Sequence, residues 1–473
     1  MKTKTIKYCL ASCAVTNKLH FSIRVLSQMR CLSKTVSVVK CSTGCSVRNY
    51  VTENDGSYFF NKMAANRKPS ELREIATLVA KLPASAINLG VGYPDVNTFP
   101  FNGISFELVT GECIKLSDKE LAVALQYLPS LGYNLLLNKL KEIQDYFHGP
   151  QDWNTRGILI TCGAQEGLSK SVDMFMQHGD PVIVPQPAYA QALDLFRAYE
   201  PDFIRISQDA NGVVVDEMQN ALKTRKLNNQ PMPKVMYLNP TGSNPAGNVI
   251  ADSRKREIYQ LACQYNIVIL EDDPYYFLNF LEKNPASFLS MDTEGRVIRL
   301  DSFSKVMSSG LRLGFATGSA SFIRKMELAM QNSSLHPSSL SQIMAYKLLV
   351  QWGIEGLKLH FERVKKYYRQ KRDHMLRAVE QNLSGLAEWY EPTGGMFLWL
   401  KIKGLEDTRH LVTSTCLAKM VIFAPGFAFA TDTKKPSPYI RISYSVASTE
   451  EIDKGIALLA EAIREELKSI KTQ

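Results

Sequence analysis

From about residue 155 the chain alternates short apolar runs with amphipathic stretches. Ile158-Leu159-Ile160-Thr161, Val182-Ile183-Val184, Phe203–Ile206, Lys234–Leu238, Ile267–Leu270 and Val297–Leu300 read as strands, and Arg312–Thr317 completes the series. Helices are predicted after the run Cys162–Gly167 and over Ser253–Tyr265. Short apolar strands alternating with helices predict a mostly parallel, doubly wound sheet. Ahead of this region, Ser70–Lys81 has the pattern of an amphipathic helix. From about 340 the chain turns helical. The stretch Trp352–Val379 carries Arg363, Lys365, Lys366, Arg369, Lys371 and Arg372, which read as a solvated helix face. The tail mixes strands (Met396–Ile402, Tyr439–Tyr444) with helices (Asp407–Lys419, Thr449–Lys468), the pattern of a smaller α+β domain.

Polar punctuation follows the strands, where open α/β sheets bind ligands. Asn88–Pro94 is a Gly/Pro loop that lets backbone approach a ligand. Cys162-Gly163-Ala164-Gln165-Glu166-Gly167 opens a helix, whose free N–H groups suit an anion. Asn239–Gly247 and Glu271–Tyr276 follow two further strands. The richest stretch is Asp301–Arg312, where Lys305 lies among Ser302, Ser304, Ser308 and Ser309 with Arg312 seven residues on. A lysine beside a cation has a lowered pKa, which suits Schiff-base chemistry. Serines and an arginine bind phosphate. Lysine and phosphate site together point to pyridoxal phosphate, which brings the aldehyde.

Length changes the picture by setting domain number. With 473 residues the chain exceeds what one core organises. We expect a leader over 1–56, an N-terminal segment over 57–105 serving the small domain and the active site, a large domain over 106–345 and a small C-terminal domain over 346–473.

Charge changes it by location. The net charge is +10, yet residues 1–52 hold nine basic residues and no acid. Subtracting nine from 56 leaves 47 basic against 46 acidic residues, so the body is near neutral and gives no reason to expect a nucleic-acid partner. The leader is Arg/Lys- and Ser-rich and acid-free, the composition of a mitochondrial transit peptide, and predicts the matrix, or the cytoplasm if the leader is not functional. No run is long and apolar enough to span a bilayer, so no membrane insertion is expected. Five of nine cysteines lie in the leader, and Cys113, Cys162, Cys263 and Cys416 are scattered; neither they nor the histidines show metal spacing, so no metal site is expected.

Taken together, Asn244-Pro245-x-Gly, Asp273-x-x-Tyr276, Ser302-x-Ser304-Lys305 with Arg312, and Arg441 resemble the fold-type I, class I/II pyridoxal-phosphate aminotransferases over roughly residues 60–470. Glu271–Phe277, Asp301–Lys305, Ser309–Arg312, Pro425-Gly426-x-Ala428-Phe429 and Ser437-Pro438-Tyr439-x-Arg441 are similar to the kynurenine/α-aminoadipate branch, with fungal aromatic aminotransferases as relatives. The resemblance implies that Lys305 carries the cofactor and then moves the substrate α-proton. It implies Asp273 on the pyridine nitrogen, Asn244 and Tyr276 on the ring 3-oxygen, and Tyr189 on the ring face. Ser302, Ser304, Arg312 and the N–H groups at Ala164 and Gln165 would hold phosphate. Tyr127 would reach that phosphate from the neighbouring subunit of a homodimer with shared active sites. Arg441 would take the substrate α-carboxylate, with Asn244 beside it, and Arg73 and Gly92 would line the side-chain end. Substrates would be α-aminoadipate, kynurenine or aromatic amino acids with a 2-oxo acid such as 2-oxoglutarate.

The sequence departs from the family at three places. Ala164 stands where relatives often carry a hydroxyl, Ala246 replaces a Thr, and Gly90-Val91-Gly92-Tyr93 replaces a glycine-richer run. The same lysine, aspartate and arginine also serve lyases and synthases of this fold, which stays the alternative. A transcription regulator with an aminotransferase-like domain would need an N-terminal winged helix, and residues 1–56 are too short for one.

Overall fold

A computed structural model describes residues 56–472 apart from 73–74, 76–82, 84, 88 and 151. The expected helix Ser70–Lys81 therefore lies largely outside the described residues. A short hairpin, β1 (Ser105–Glu107) and β2 (Cys113–Lys115), precedes the main sheet. That sheet holds β3 (Arg156–Thr161), β4 (Pro181–Gln186), β5 (Asp202–Asp209), β6 (Gly212–Val213), β7 (Val235–Leu238), β8 (Val268–Asp272), β9 (Val297–Ser302) and β10 (Gly314–Ser319). Their spatial order is β3-β10-β9-β8-β7-β4-β5-β6. Strands β5, β4, β7, β8 and β9 run parallel. Strand β10 is antiparallel to both its neighbours, and β6 to β5. The sheet is mixed with a parallel centre, as the strand-helix alternation predicts.

Alternation along each strand builds two cores. Leu159, Val182, Val184, Tyr237, Val268, Leu270 and Leu300 pack with Leu168 and Val172 of the helix Gly163–Phe175. Ile183, Met236, Ile269 and Val297 pack on the other face with Ile258 and Ala262 of the helix Asp252–Tyr265. Both faces are buried, which is why the strands are apolar at successive positions. Each such side chain contributes about 1.5–3 kcal/mol by leaving water.

The smaller sheet has the order β11 (Ala387–Trp389), β12 (Phe397–Ile402), β14 (Tyr439–Ser443) and β13 (Ala424–Pro425), all antiparallel. The helix Thr449–Thr472 covers it through Ile452, Ile456, Leu459 and Ile463. The long helix Ser339–Leu383 runs past the expected boundary at 345/346 and is broken at Gly353, whose φ of 58° is left-handed. Over the predicted helix Asp407–Lys419, a π turn at Leu411–Thr415 leads into the short helix Cys416–Ala418.

The basic run on the long helix is not simply a solvated face. Lys365 Nζ donates to Leu281 O at 3.1 Å, Lys371 Nζ to Ala447 O at 2.6 Å and Arg372 Nη1 to Pro392 O at 2.9 Å, and Arg369 donates to Phe280 O. These bases close the carbonyls of loops 280–281, 392 and 447. A helical charge pattern reads the same whether its partners are water or carbonyls from distant loops.

Candidate active site

The carboxyl ends of β7, β8 and β9 and the start of the helix Gly163–Phe175 surround a cavity of about 430 Å³. Its walls include Ala164, Gln165, Tyr189, Asn239, Asn244, Asp272, Tyr275, Ser302, Ser304, Lys305, Arg312 and Phe397.

One end is an anion cradle. Arg312, itself in the left-handed region at φ 50°, donates from Nη1 to Ser304 Oγ at 3.4 Å and from Nη2 to Cys162 O at 3.2 Å. Gly163 makes room for its guanidinium, and Gly314 makes room for the backbone at the helix start. A Cβ on Gly163, at φ +72°, would stand 2.6 Å from Arg312 Nη2, and one on Gly314 would stand 2.8 Å from the Ala164 nitrogen. The guanidinium, the Ser302 and Ser304 hydroxyls and the helix-start N–H groups thus converge, an arrangement that favours a phosphate. Ala164 has no hydroxyl to offer, but its backbone N–H remains.

Lys305 lies half-buried in the wall, its Nζ 5.9 Å from the Tyr275 ring centre. Burial, then the positive charges of Arg312 and Arg441, hold its amine below the ordinary lysine range. A lowered pKa makes the amine easier to deprotonate, which suits a nucleophile and a base.

The two aspartates at the end of β8, Asp272 and Asp273, face opposite ways. Asp272 continues the alternation of Val268 and Leu270 and lines the cavity. Its Oδ2 accepts from Tyr237 Oη at 2.8 Å, and burial pushes its carboxyl up to about 7. Asp273 is not part of the cavity wall. Its Oδ2 meets Arg299 Nη1 at 2.9 Å, within a buried cluster where Arg299 also pairs with Glu271 at 3.2 Å and Asp301 at 2.9 Å. The tyrosines repeat this split. Tyr275 lines the cavity, while Tyr276 donates to Pro285 O at 3.2 Å, meets the His148 ring at a tilt of 58° and lies under the Arg299 guanidinium. The sequence expectation named Asp273 and Tyr276; the cavity holds Asp272 and Tyr275 instead.

Asn239 ties the floor together, donating to Asp272 O at 2.6 Å and accepting from Asn244 N at 2.7 Å. Arg441, on β14, donates from Nη1 to Asn244 Oδ1 at 2.9 Å and lies over the rings of Phe397 and Phe429 at 4.1 and 4.9 Å. It makes no ion pair among the described residues, and its Nε is buried without a partner. A planar cation held between rings, with no carboxylate of its own among the described residues, has the geometry to take a carboxylate in a fork.

The sequence pattern of the family Aminotransferase class I and II matches residues 119–459. The chain belongs to that family. It is 41% identical over 420 residues to the mitochondrial kynurenine/α-aminoadipate aminotransferase of Bos taurus, covering 86% of this chain and 99% of the bovine one. Among solved structures it is similar to the Pyrococcus horikoshii kynurenine aminotransferase in complex with PMP, KYN and KYA, with a TM-score of 0.70, 31% identity and coverage of 88% and 99%. It is also similar to the α-aminoadipate aminotransferase of Thermus thermophilus complexed with N-(5'-phosphopyridoxyl)-L-leucine, with a TM-score of 0.65, 30% identity and coverage of 73% and 85%. The protein is a pyridoxal-phosphate-dependent transaminase of fold type I.

In this aminotransferase the structure brings Ala164, Gln165, Tyr189, Asn244, Ser302, Ser304, Lys305 and Arg312 around one cavity, with Arg441 behind Asn244 and Phe397. Tyr189 donates to Gln191, and burial raises its phenol to about 12. Tyr127 stays outside the cavity, 46% exposed, its ring 6.1 Å from His336 and 6.0 Å from Tyr93. Gly92 is exposed in open space away from the cavity. Arg73 lies outside the described residues. Sequence reasoning missed Asn239, Gln191, Phe397 and Tyr237 along with Asp272 and Tyr275. The Asp272 signal was present in principle, since it keeps the period of Val268 and Leu270.

Proposed function

We infer that the protein transfers the amino group of an L-α-amino acid, α-aminoadipate, kynurenine or an aromatic amino acid, to a 2-oxo acid such as 2-oxoglutarate, with pyridoxal phosphate in the cavity of Lys305. The observation that carries this reading is Arg441, an ion-pair-free guanidinium beside the half-buried Lys305 cavity. The names of the bovine and archaeal relatives supply the substrate class.

The cavity fits the cofactor. The cradle that a Cβ on Gly163 would crowd suits the phosphate, and Asp272, buried and without a paired cation among the described residues, suits a protonated ring nitrogen. When bound, pyridoxal phosphate supplies an aldehyde for the amino group and a ring that accepts electrons. Ser302, Ser304, Arg312 and the Ala164 and Gln165 N–H groups would hold the phosphate. Asp272 would keep a proton on the ring nitrogen, and Tyr237 keeps Asp272 aimed. Tyr275 and Asn244 would meet the ring oxygen, and Tyr189 the ring face. Lys305 Nζ would carry the cofactor, then take the substrate α-proton and return it. Arg441 and Asn244 would orient the α-carboxylate, and Phe397 and Phe429 exclude water around the guanidinium.

The protein would act as a homodimer in the mitochondrial matrix. The exposed Tyr127, outside its own cavity, supports a reach to the neighbouring phosphate, and the basic, acid-free first 52 residues support import. Arg73 and Gly92 would serve the side-chain end, and the large domain would cover 106–345 and the small one 346–473.

Incubation with α-aminoadipate and 2-oxoglutarate should give glutamate and 2-oxoadipate in equal amounts with no ammonia. Ammonia release without glutamate would instead mark a lyase.

A further inference from the structure

A second cavity of about 440 Å³ lies between the end of β5 and the segment from Gly426 to Tyr439. It shares no lining residue with the cavity of Lys305. Its volume is in the range that small ligands occupy. Three aromatic rings form one wall. Trp399 and Tyr439 are stacked with ring centres 5.1 Å apart and planes 5° from parallel, and Phe429 meets Trp399 edge-on at 5.5 Å. Trp399 and Tyr439 are half-buried on neighbouring strands β12 and β14, so the backbone ladder holds their spacing.

The charges at the rim are unequal. Asp209 is taken by Arg254 at 2.6 Å and Glu391 by Arg372 at 3.0 Å, both from outside the lining. Asp432 accepts from its own loop, at Lys434 N, and is the one lining acid outside an ion pair. Arg205 and Lys435 line the same space, and neither makes an ion pair among the described residues; Arg205 donates only to Thr431 Oγ1, at 2.5 Å. Two uncompensated cations against one acid favour an anionic ligand, and flat rings favour a flat one.

We propose that this cavity is a second ligand site, for a small planar aromatic carboxylic acid. The ring packs along Trp399 and Tyr439, and the carboxylate meets Arg205 and Lys435. The wall residue Phe429 also lies 4.9 Å from the Arg441 guanidinium, so a ligand here packs against a residue that backs the arginine of the substrate site without entering that site.

Indole-3-acetate is a suitable probe, with tryptamine as its cationic counterpart. Both are titrated by calorimetry into borohydride-reduced holoenzyme, with glutarate at saturation to fill the substrate carboxylate site. Indole-3-acetate should bind once per chain with a Kd below about 1 mM, and tryptamine at least about tenfold more weakly. Replacing both exposed cations (Arg205→Glu with Lys435→Glu) should weaken indole-3-acetate at least about tenfold, the scale of two reversed partly exposed contacts. Far-UV circular dichroism and basal transamination should stay unchanged in that variant. Arg441→Lys should leave the binding intact. Absence of binding, equal binding of tryptamine, indifference to the double reversal, or loss with Arg441→Lys would each overturn the proposal. Failure of transamination itself would leave these binding outcomes readable, so the two readings fail separately.

Discussion

Tyr237 donates its hydroxyl to Asp272 Oδ2 at 2.8 Å and so fixes the carboxylate that faces Lys305's cavity. The next residue, Asp273, is held by Arg299 on the opposite side of the strand. One residue of register separates a carboxylate that lines the cavity from a buried structural ion pair.

Asp272→Ala should therefore weaken pyridoxal phosphate and suppress transamination by at least about 10²-fold, while Asp273→Ala should mainly cost stability. Breaking a buried pair typically costs about 3–5 kcal/mol. Cofactor titration and urea unfolding on both variants separate the two roles. Equal loss of cofactor affinity in both would refute the assignment.

The same aspartate makes stability depend on pH when no cofactor is bound. Burial raises its pKa from the ordinary carboxylate value to about 7. A group that holds its proton more tightly folded than unfolded destabilises the fold as pH rises through the interval between the two values. That cost begins near pH 4 and is complete above about 7, where it reaches about 4 kcal/mol. Asp272→Asn lacks this titration. Cofactor-free Asp272→Asn should thus match wild type near pH 4 and exceed it in urea-unfolding stability at pH 8. A stability difference independent of pH would contradict the buried ionisation.

Lys305 should carry the cofactor. Borohydride trapping followed by peptide mapping should label this lysine, and label on another would exclude it. Lys305→Ala should slow proton transfer at least about 10²-fold, the usual scale for a positioned base. Single-turnover kinetics with α-deuterated substrate measure it.

Arg441 should be needed by every substrate, because each has an α-carboxylate. Removing one partner of a buried charge pair costs about 2–5 kcal/mol. Arg441→Ala should lower kcat/KM by roughly 30- to 5,000-fold and by a similar factor across aromatic and dicarboxylic donors. A factor that varied widely with the side chain would assign Arg441 to the side-chain end.

Gly163→Ala should damage the cradle more than the fold. The added Cβ meets the end of Arg312 at 2.6 Å, and φ +72° strains any L side chain. We expect cofactor affinity to fall roughly 5- to 150-fold, from strain of about 1–3 kcal/mol. Equilibrium dialysis of the cofactor is the measurement, and unchanged affinity would show that Arg312 is not the phosphate clamp.

Much of this was legible in the sequence because it depends on residue type and order. The strand-helix alternation dictates a sheet whose parallel centre is buried on both faces, and groups just past strand ends collect at one edge of such a sheet. Lys305, Arg312 and the serines come together for that reason, and Arg441 through pairing of β14 with β12. The choice between Asp272 and Asp273, and between Tyr275 and Tyr276, belongs to the tertiary structure. Neighbouring residues in or just past a strand point to opposite faces, and in β8 both faces are apolar: Leu270 packs on one helix layer and Ile269 on the other. With no polar face to mark the outside, the sequence presents paired Asp and paired Tyr residues without an orientation. Only the layer that carries the helix Gly163–Phe175, and with it the anion cradle, decides which of each pair faces the chemistry. The basic run of the long helix follows the same logic. Its spacing is set by the sequence, but carbonyls from loops far along the chain make it a seam rather than a surface.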